Sequence, residues 1–217
     1  MAQVWSVVVA GGSGQRFGTV KQFALLGGRP LVEWAVSACR PSSAGVVLVL
    51  PPGATTDGNY PDYGADVVVE GGGTRSASVC RGVEAVPTVA EVIIVHDAAR
   101  PLASSALFSS VIDAVSAGGA GGAVPGLALS DTIKIVDGTR RVTATLDRAA
   151  LVAVQTPQAF EAGLLRKAHA GGEAEATDDA ALVEALGATV QVVPGDPRNL
   201  KVTTPADLEL AEHLLRG

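Results

Sequence analysis

Residues 7–23 read VVVAGGSGQRFGTVKQF. A β-branched run stops at glycine, and two cations, Arg16 and Lys21, follow among small residues. The common glycine-loop signatures do not fit. A phosphate loop of the GxxxxGK[ST] type needs Ser or Thr after its lysine, and Gln22 follows Lys21. A GxGxxG fingerprint fails at Phe17, and a GxSxG elbow fails at Gln15. What remains is a strand-to-helix turn whose free N–H groups form an anion-binding concavity, with Arg16 and Lys21 beside it. A triphosphate calls for that combination. The plainer alternative is a flexible turn carrying two solvated cations.

Outward from this turn, short apolar runs recur: VWSVVVA (4–10), GVVLVLP (45–51), ADVVVEGG (65–72), EVIIVHDAARP (91–101) and GGAVPGLAL (121–129). Segments of helical periodicity separate them, including PLVEWAVSACR (30–40), TRSASVCRGVEAV (74–86) and SALFSSVIDAVSAG (105–118). Pro30 suits a first helical position, and Ser104 or Ser105 suits a cap. Continuous apolar strands alternating with helices predict one α/β domain over 1–217, with a mostly parallel sheet covered on both faces. Ligands bind such sheets at the carboxyl ends of the strands. The opening loop and the HDAAR after the fourth strand both fall there.

Residues 131–147, DTIKIVDGTRRVTATLD, break the pattern. Two β-rich runs flank Asp137–Gly138, a hairpin-turn dipeptide, which predicts a protruding ribbon. A lone ribbon is marginal, so it is expected to lean on the domain body or on a second subunit. The chain then returns to strand in LVAVQTP (151–157), helix in TDDAALVEALG (177–187), strand in TVQVVPGD (189–196) and a closing helix from Pro205, capped by Thr204.

A net charge of −6 argues against general attraction to nucleic acid, so any phosphate site must be a local basic pocket. No apolar stretch is long enough to cross a bilayer, and the N-terminus lacks a secretory pattern, so a cytoplasmic protein is expected. Cys39 and Cys80 form no motif and are expected as small buried side chains. His96, His169 and His213 show no zinc spacing.

Other polar clusters are individually weak. In VHDAARP (95–101), Asp97 suits a divalent metal or a hydroxyl and Arg100 a phosphate, or the two pair with each other. His96, between Val95 and Asp97, is expected as a satisfied core histidine. GGGTRSAS (71–78) is a second glycine-to-helix transition, with Arg75, Ser76 and Ser78 in its first turns and Thr74 as the ordinary cap. Lys201, expected on a short strand and facing inward, would want an anion. Asp178 and Asp179 are expected to face solvent, with Thr177 capping their helix.

Taken in order, AGGSGQRFGTVKQF, GGGTRSASV, VHDAARP, DTIK, LDR, VQTPQAF, TDDAALVE and NLKVTTPADLELAE resemble the 2-C-methyl-D-erythritol 4-phosphate cytidylyltransferase family over about residues 4–216. The resemblance implies a single Rossmann-like nucleotidyltransferase domain whose substrates are CTP and a polyol phosphate. It places Ala10, Gly11, Gly12, Ser13, Gly14, Arg16 and Lys21 around the CTP phosphates. Gly71, Gly72, Ser78, Asp97 and Ala98 fall near the nucleotide, and Asp97 and Arg100 between nucleotide and acceptor. Thr156, Thr177 and Lys201 complete the pocket. Thr132 and Arg148 bind the acceptor phosphate in the neighbouring subunit's site of a homodimer joined by the 131–147 arm.

On this reading Arg16, Lys21, Arg148 and Lys201 are the catalytic cations. Mg²⁺ is held mainly by the triphosphate, with Asp97 as its protein ligand. Neither nucleic acid nor membrane is an expected partner. Two departures from the family pattern stand out: AGG at 10–12 where AAG is frequent, and Gly73 where an acidic residue is frequent. AGG also occurs in the related ribitol-5-phosphate cytidylyltransferases, the runner-up, but DTIK followed by TLDR favours methylerythritol phosphate. A non-catalytic nucleotide-binding module on the same fold would be expected to lose the cations, and they are present.

Overall fold

The computed structural model describes residues 2–11, 21–53, 61–170 and 178–216, and of Lys21 the backbone alone. In chain order the elements are β1 (Val4–Val9), β2 (Leu25–Leu26), β3 (Arg29–Pro30), α1 (Leu31–Cys39), β4 (Gly45–Leu50), β5 (Val67–Glu70), α2 (Arg75–Glu84), β6 (Val92–Asp97) and α3 (Ser105–Ser116). There follow β7 (Gly122–Ala128), β8 (Lys134–Val136), β9 (Val142–Thr145), β10 (Val152–Val154), β11 (Gln158–Glu161), α4 (Ala162–His169), α5 (Asp179–Ala185), β12 (Val190–Pro194) and α6 (Pro205–Arg216).

β1 lies between β4 and β6, parallel to both, and β5 extends the sheet beyond β4. The chain therefore winds outward in opposite directions from β1, which leaves a crevice at the carboxyl ends of β1 and β6. On the far side the pairing changes hand. β11 runs antiparallel to both β6 and β7, β10 runs antiparallel to β7, and β12 pairs parallel with β7's other edge. Neither β11 nor α4 was foreseen in the sequence, because QAFE and AGLLRKAH are too short to show a period. The sheet is mostly parallel as expected, with an antiparallel insertion.

Alternation along β1 shows why its run is continuously apolar. Val8 faces the cluster built by Val32, Val36 and Phe108 of α1 and α3, and Val7 faces the one built by Val79, Val83 and Leu165 of α2 and α4. Burial on both faces leaves no place for a polar alternation. Each fully buried side chain of this kind contributes roughly 1.5–3 kcal/mol relative to exposure. A third cluster, Leu26, Leu31, Val202 and Ala211, fastens α6 to the β2–β3 hairpin.

Several local expectations hold and others need correction. Thr74 caps α2 and Ser104 caps α3 through their side-chain oxygens. Thr204 Oγ1 accepts the Asp207 N–H at 3.2 Å, while the Asp207 carboxylate accepts the N–H groups of Thr203 and Thr204. Pro30 is the residue before α1 rather than its first, with ψ at 144°. Asp178 caps α5 by accepting the Ala181 N–H; Thr177 lies outside the described residues. Cys39 is buried, but Cys80 is only partly so.

The 131–147 ribbon forms as β8 and β9, with every residue of both strands exposed. Its connection is longer than a two-residue Asp-Gly turn. Asp137 Oδ1 accepts the N–H groups of Thr139 and Arg141, and Arg140 rather than Gly138 takes the left-handed conformation, at φ +64°. No helix among the described residues is long and apolar enough to cross a membrane.

Candidate active site

The crevice is built by the ends of β1 and β6 and the start of α2. Val9 and Asp97 are partners across β1 and β6, so both strands deliver their last residues to one place. Beyond β1, Ala10 is tied to β4 through its N–H to Val49 O, and its carbonyl accepts the Gln22 side-chain amide. A Cβ at Gly11 would stand 2.9 Å from Ser78 Oγ and would displace that hydroxyl. Gly71 is closer still, at 2.6 Å.

Ser78, 1% exposed, spends its hydroxyl on this turn: it donates to Thr74 O at 2.8 Å and accepts the Gly72 N–H at 3.1 Å. Its role is thus to shape the Gly71–Gly72 turn. A polar side chain so deeply placed needs both bonds to offset its lost hydration.

Asp97 is the centre of charge. Its Oδ2 lies 2.7 Å from Lys201 Nζ and its Oδ1 3.5 Å from Arg75 Nη2. Burial opposes ionisation of this carboxyl, but the Arg75 and Lys201 cations outweigh it and hold Asp97 ionised well below the usual carboxylate range. Lys201 does meet an anion, though from irregular chain rather than a strand and with an exposed rather than inward-facing side chain. Arg100 does not pair with Asp97; its Nη1 donates to Asn199 O at 2.8 Å.

Behind Asp97 stands a fixed frame. Thr156 Oγ1 accepts the Asp97 N–H at 3.0 Å and meets His96 Nδ1 at 3.0 Å, while His96 Nε2 meets Arg100 O at 3.1 Å. His96 is fully buried, packs edge-on against Phe108, and is a satisfied core histidine as expected. The Asn199 amide donates to Thr156 O, and the Gln155 amide to Asp196 O. These amides hold the approach to Lys201 against the end of β10. Both lie in motifs that carry the resemblance, VQTPQAF and NLKVTTPADLELAE, but no period or spacing says which groups their amides hold.

Two cavities open on this frame. One, of about 330 Å³, is lined by Ala10, Gly11, Gln22, Gly73, Thr74 and Ala98 among others. The second, of about 360 Å³, is lined by Arg100, Gln155, Thr156, Gln158 and Asp178. Arg75, Asp97 and Lys201 line both and form the wall they share. The arrangement can hold two anionic molecules whose reacting ends meet at one charged junction.

The sequence-expected residues Ala10, Gly11, Ser78, Asp97, Ala98 and Lys201 are brought together here, with Arg100 and Thr156 on the second cavity. Gly71 and Gly72 are buried beneath Ser78. Gly12, Ser13, Gly14, Arg16, Thr177 and the Lys21 side chain lie outside the described residues. Thr132 and Arg148 are exposed and line neither cavity of their own chain.

One expectation is overturned. Asp179 does not face solvent: it is 1% exposed, with Oδ2 2.8 Å from Arg75 Nη1 and Oδ1 3.2 Å from His169 Nε2. Its position at a helix start favoured solvent, but the guanidinium of Arg75, 104 residues away, draws it in.

The geometry agrees with comparison to known proteins. The family model for 2-C-methyl-D-erythritol 4-phosphate cytidylyltransferase (IspD) matches residues 4–217. The enzyme of that name from Nocardia farcinica is 45% identical, covering 98% of this chain and 94% of that one. The bifunctional IspD/IspF enzyme of Solidesulfovibrio magneticus is also 45% identical over 96% of this chain, which spans 56% of that longer protein. The crystal structure of the Thermus thermophilus cytidylyltransferase superposes with a TM-score of 0.82 at 41% identity, covering 97% of this chain and 98% of that one.

Proposed function

The chain belongs to the 2-C-methyl-D-erythritol 4-phosphate cytidylyltransferase family, and on that premise we propose how its two cavities divide the reaction. It is a cytidylyltransferase of isoprenoid biosynthesis, joining CTP and methylerythritol phosphate to give 4-diphosphocytidyl-2-C-methyl-D-erythritol and pyrophosphate. The ribitol phosphate alternative is not favoured by these relatives. CTP occupies the cavity beside Ala10 and Gly11, and the acceptor occupies the one beside Arg100 and Thr156. The observation that carries this division is the wall of Arg75, Asp97 and Lys201 common to both.

An oxygen of the acceptor phosphate attacks the α-phosphorus of CTP; a new P–O bond forms and the bond to the bridging oxygen of pyrophosphate breaks. The attacking group is already an anion, so no strong general base is needed. Catalysis rests on holding two mutually repelling anions in line and compensating the charge that gathers between them. Lys201 supplies positive charge at the junction, and Arg100 binds the acceptor phosphate. Arg16 and Lys21 take the triphosphate.

Among the described residues, Asp97 is the one carboxylate on the nucleotide cavity, and no cluster of three metal-binding side chains occurs. That donor set fits Mg²⁺ held mostly by phosphate oxygens, since this ion commonly takes one or two carboxylates. Bound there, Mg²⁺ supplies charge neutralisation on the triphosphate, and Asp97 is the residue that would hold it.

The chain works as a homodimer through the exposed ribbon, with Thr132 and Arg148 serving the neighbouring acceptor cavity. Ile135, Val136 and Val142 on the ribbon are large apolar side chains exposed by 45–60%, a surface suited to cover by a second copy. We assign the reaction to the cytoplasm, where CTP is available.

The decisive assay measures pyrophosphate release from CTP with methylerythritol 4-phosphate or ribitol 5-phosphate, with Mg²⁺ or excess chelator. Release with the first acceptor alone, abolished by chelator and restored by Mg²⁺, is expected. Release with ribitol phosphate alone rejects the acceptor assignment, and full activity in chelator rejects the metal.

A further inference from the structure

Arg75 sits at the first turn of α2, where a cation is not favoured by the helix dipole, so something else must hold it there. Its two terminal nitrogens are held unequally. Nη1 makes a 2.8 Å contact with the buried Asp179, whereas Nη2 stands 3.5 Å from Asp97. Asp179 in turn is fixed from behind by His169 Nε2 at 3.2 Å, with both residues 3% exposed or less. The guanidinium is therefore anchored at its back and loosely held at its front, and that front lies on the wall between the two cavities. Burial works against the charge of Arg75, and the carboxylates of Asp179 and Asp97 more than restore it.

We infer that Arg75 is a substrate-contacting residue that trades its long contact with Asp97 for an oxygen of the acceptor phosphate, and that Asp179 is the positioning residue that makes this exchange possible. The inference rests on the two-cavity reading above. A buried carboxylate cannot lose its cation cheaply, so Asp179 keeps Nη1 throughout. Nη2 has only a long hydrogen bond to give up, Lys201 at 2.7 Å keeps Asp97 paired when it does, and a doubly charged phosphate is a stronger partner in the planar fork that arginine offers. His169 occupies the other oxygen of Asp179 and leaves it one direction in which to hold Arg75. A lysine at residue 75 would satisfy Asp179 but has a single head group and could not serve the front as well.

The test is a pair of variants and their combination, in the full chain. Arg75→Lys preserves the buried charge pair and is expected to melt near the wild type. Its KM for methylerythritol phosphate should rise about 10-fold while its KM for CTP stays within about twofold, the loss of one arginine–phosphate contact. Asp179→Asn should give the same selective pattern. The double variant should be no worse than Arg75→Lys alone, because Asp179 acts only through the guanidinium. A merely structural role would lower the amount of active enzyme and leave both KM values unchanged.

A normal acceptor KM in Arg75→Lys, an equal rise for both substrates, or independent losses that multiply in the double variant would each overturn the inference. If Asp179→Asn does not fold, the acceptor KM of Arg75→Lys decides by itself. Failure of the wild type to release pyrophosphate from CTP and methylerythritol phosphate would instead reject the functional reading beneath it.

Discussion

Lys201 Nζ lies 2.7 Å from Asp97 Oδ2, which brings residues 104 apart in sequence to the junction of two cavities. The lysine side chain is 41% exposed, so solvent screens the pair and its share of stability is small. Its effect on the reaction is expected to be large. Lys201→Met should lower kcat by about 10²–10³-fold, the scale of losing one charge contact to a transition state. The melting temperature should change little. A folded variant with near-normal turnover would show Lys201 to be an ordinary surface cation.

Gly82 tests how α2 is held. A Cβ at this position would stand 2.4 Å from Val7 Cγ1 and 2.7 Å from Val49 Cγ2, both buried in the sheet. Gly82→Ala is favoured by helix propensity yet must push α2 away from β1 and β4. A net destabilisation of about 1–3 kcal/mol in urea unfolding is expected, the usual range for overpacking. Activity should fall too, because Arg75 and Ser78 ride on the same helix. A variant more stable than the wild type would mean that the contact relaxes freely.

Acid should weaken the fold through His96. Burial pushes this imidazole down from 6.5 to about 4, against smaller raising effects of Asp97 and the Arg100 carbonyl. The unfolded chain therefore takes up this proton more readily than the folded one. Stability is full above about pH 6.5 and is lost progressively as pH falls toward 4, by roughly 3 kcal/mol over the whole range. Asp97 contributes no slope in this window, since stability from a depressed carboxylate is lost only below the unfolded value of 3.8. Urea unfolding at pH 7.5 and pH 5 should show the loss. Equal stability at both would contradict a buried neutral His96.

The ribbon makes a claim about mixed dimers. Arg148 is exposed on its own chain, where its guanidinium meets Ser130 O, and it lines neither cavity. If it serves the neighbouring site, Lys21→Met and Arg148→Ala chains should complement each other. One site of a mixed dimer carries both defects and the other neither, so mixing two nearly inactive proteins should restore about a quarter of wild-type activity. Free exchange of subunits with no recovery would mean that Arg148 serves its own chain or no site at all.

Features that repeat or are local could be read from the chain alone. Val7, Val8 and Val9 announce a doubly buried strand because burial on both faces removes polar alternation. Thr74, Ser104 and Thr204 announce helix starts because capping is satisfied within a few residues. The motif order carried the family and most of the residues around Asp97, and Lys201 read as a cation in want of an anion without showing which. The partners of charge were settled only by folding. Asp179 read as a solvated residue at a helix start, and the fold placed it 2.8 Å from Arg75, where losing that cation would strand a buried charge. Likewise the motifs that contain Gln155 and Asn199 do not say which carbonyls their amides reach, and the antiparallel insertion of β11 between β6 and β7 has no local signature. Hydrogen bonds and ion pairs between distant segments depend on where the backbone brings them. A linear pattern records a residue's neighbours in the chain, and long-range electrostatics is settled by neighbours in space.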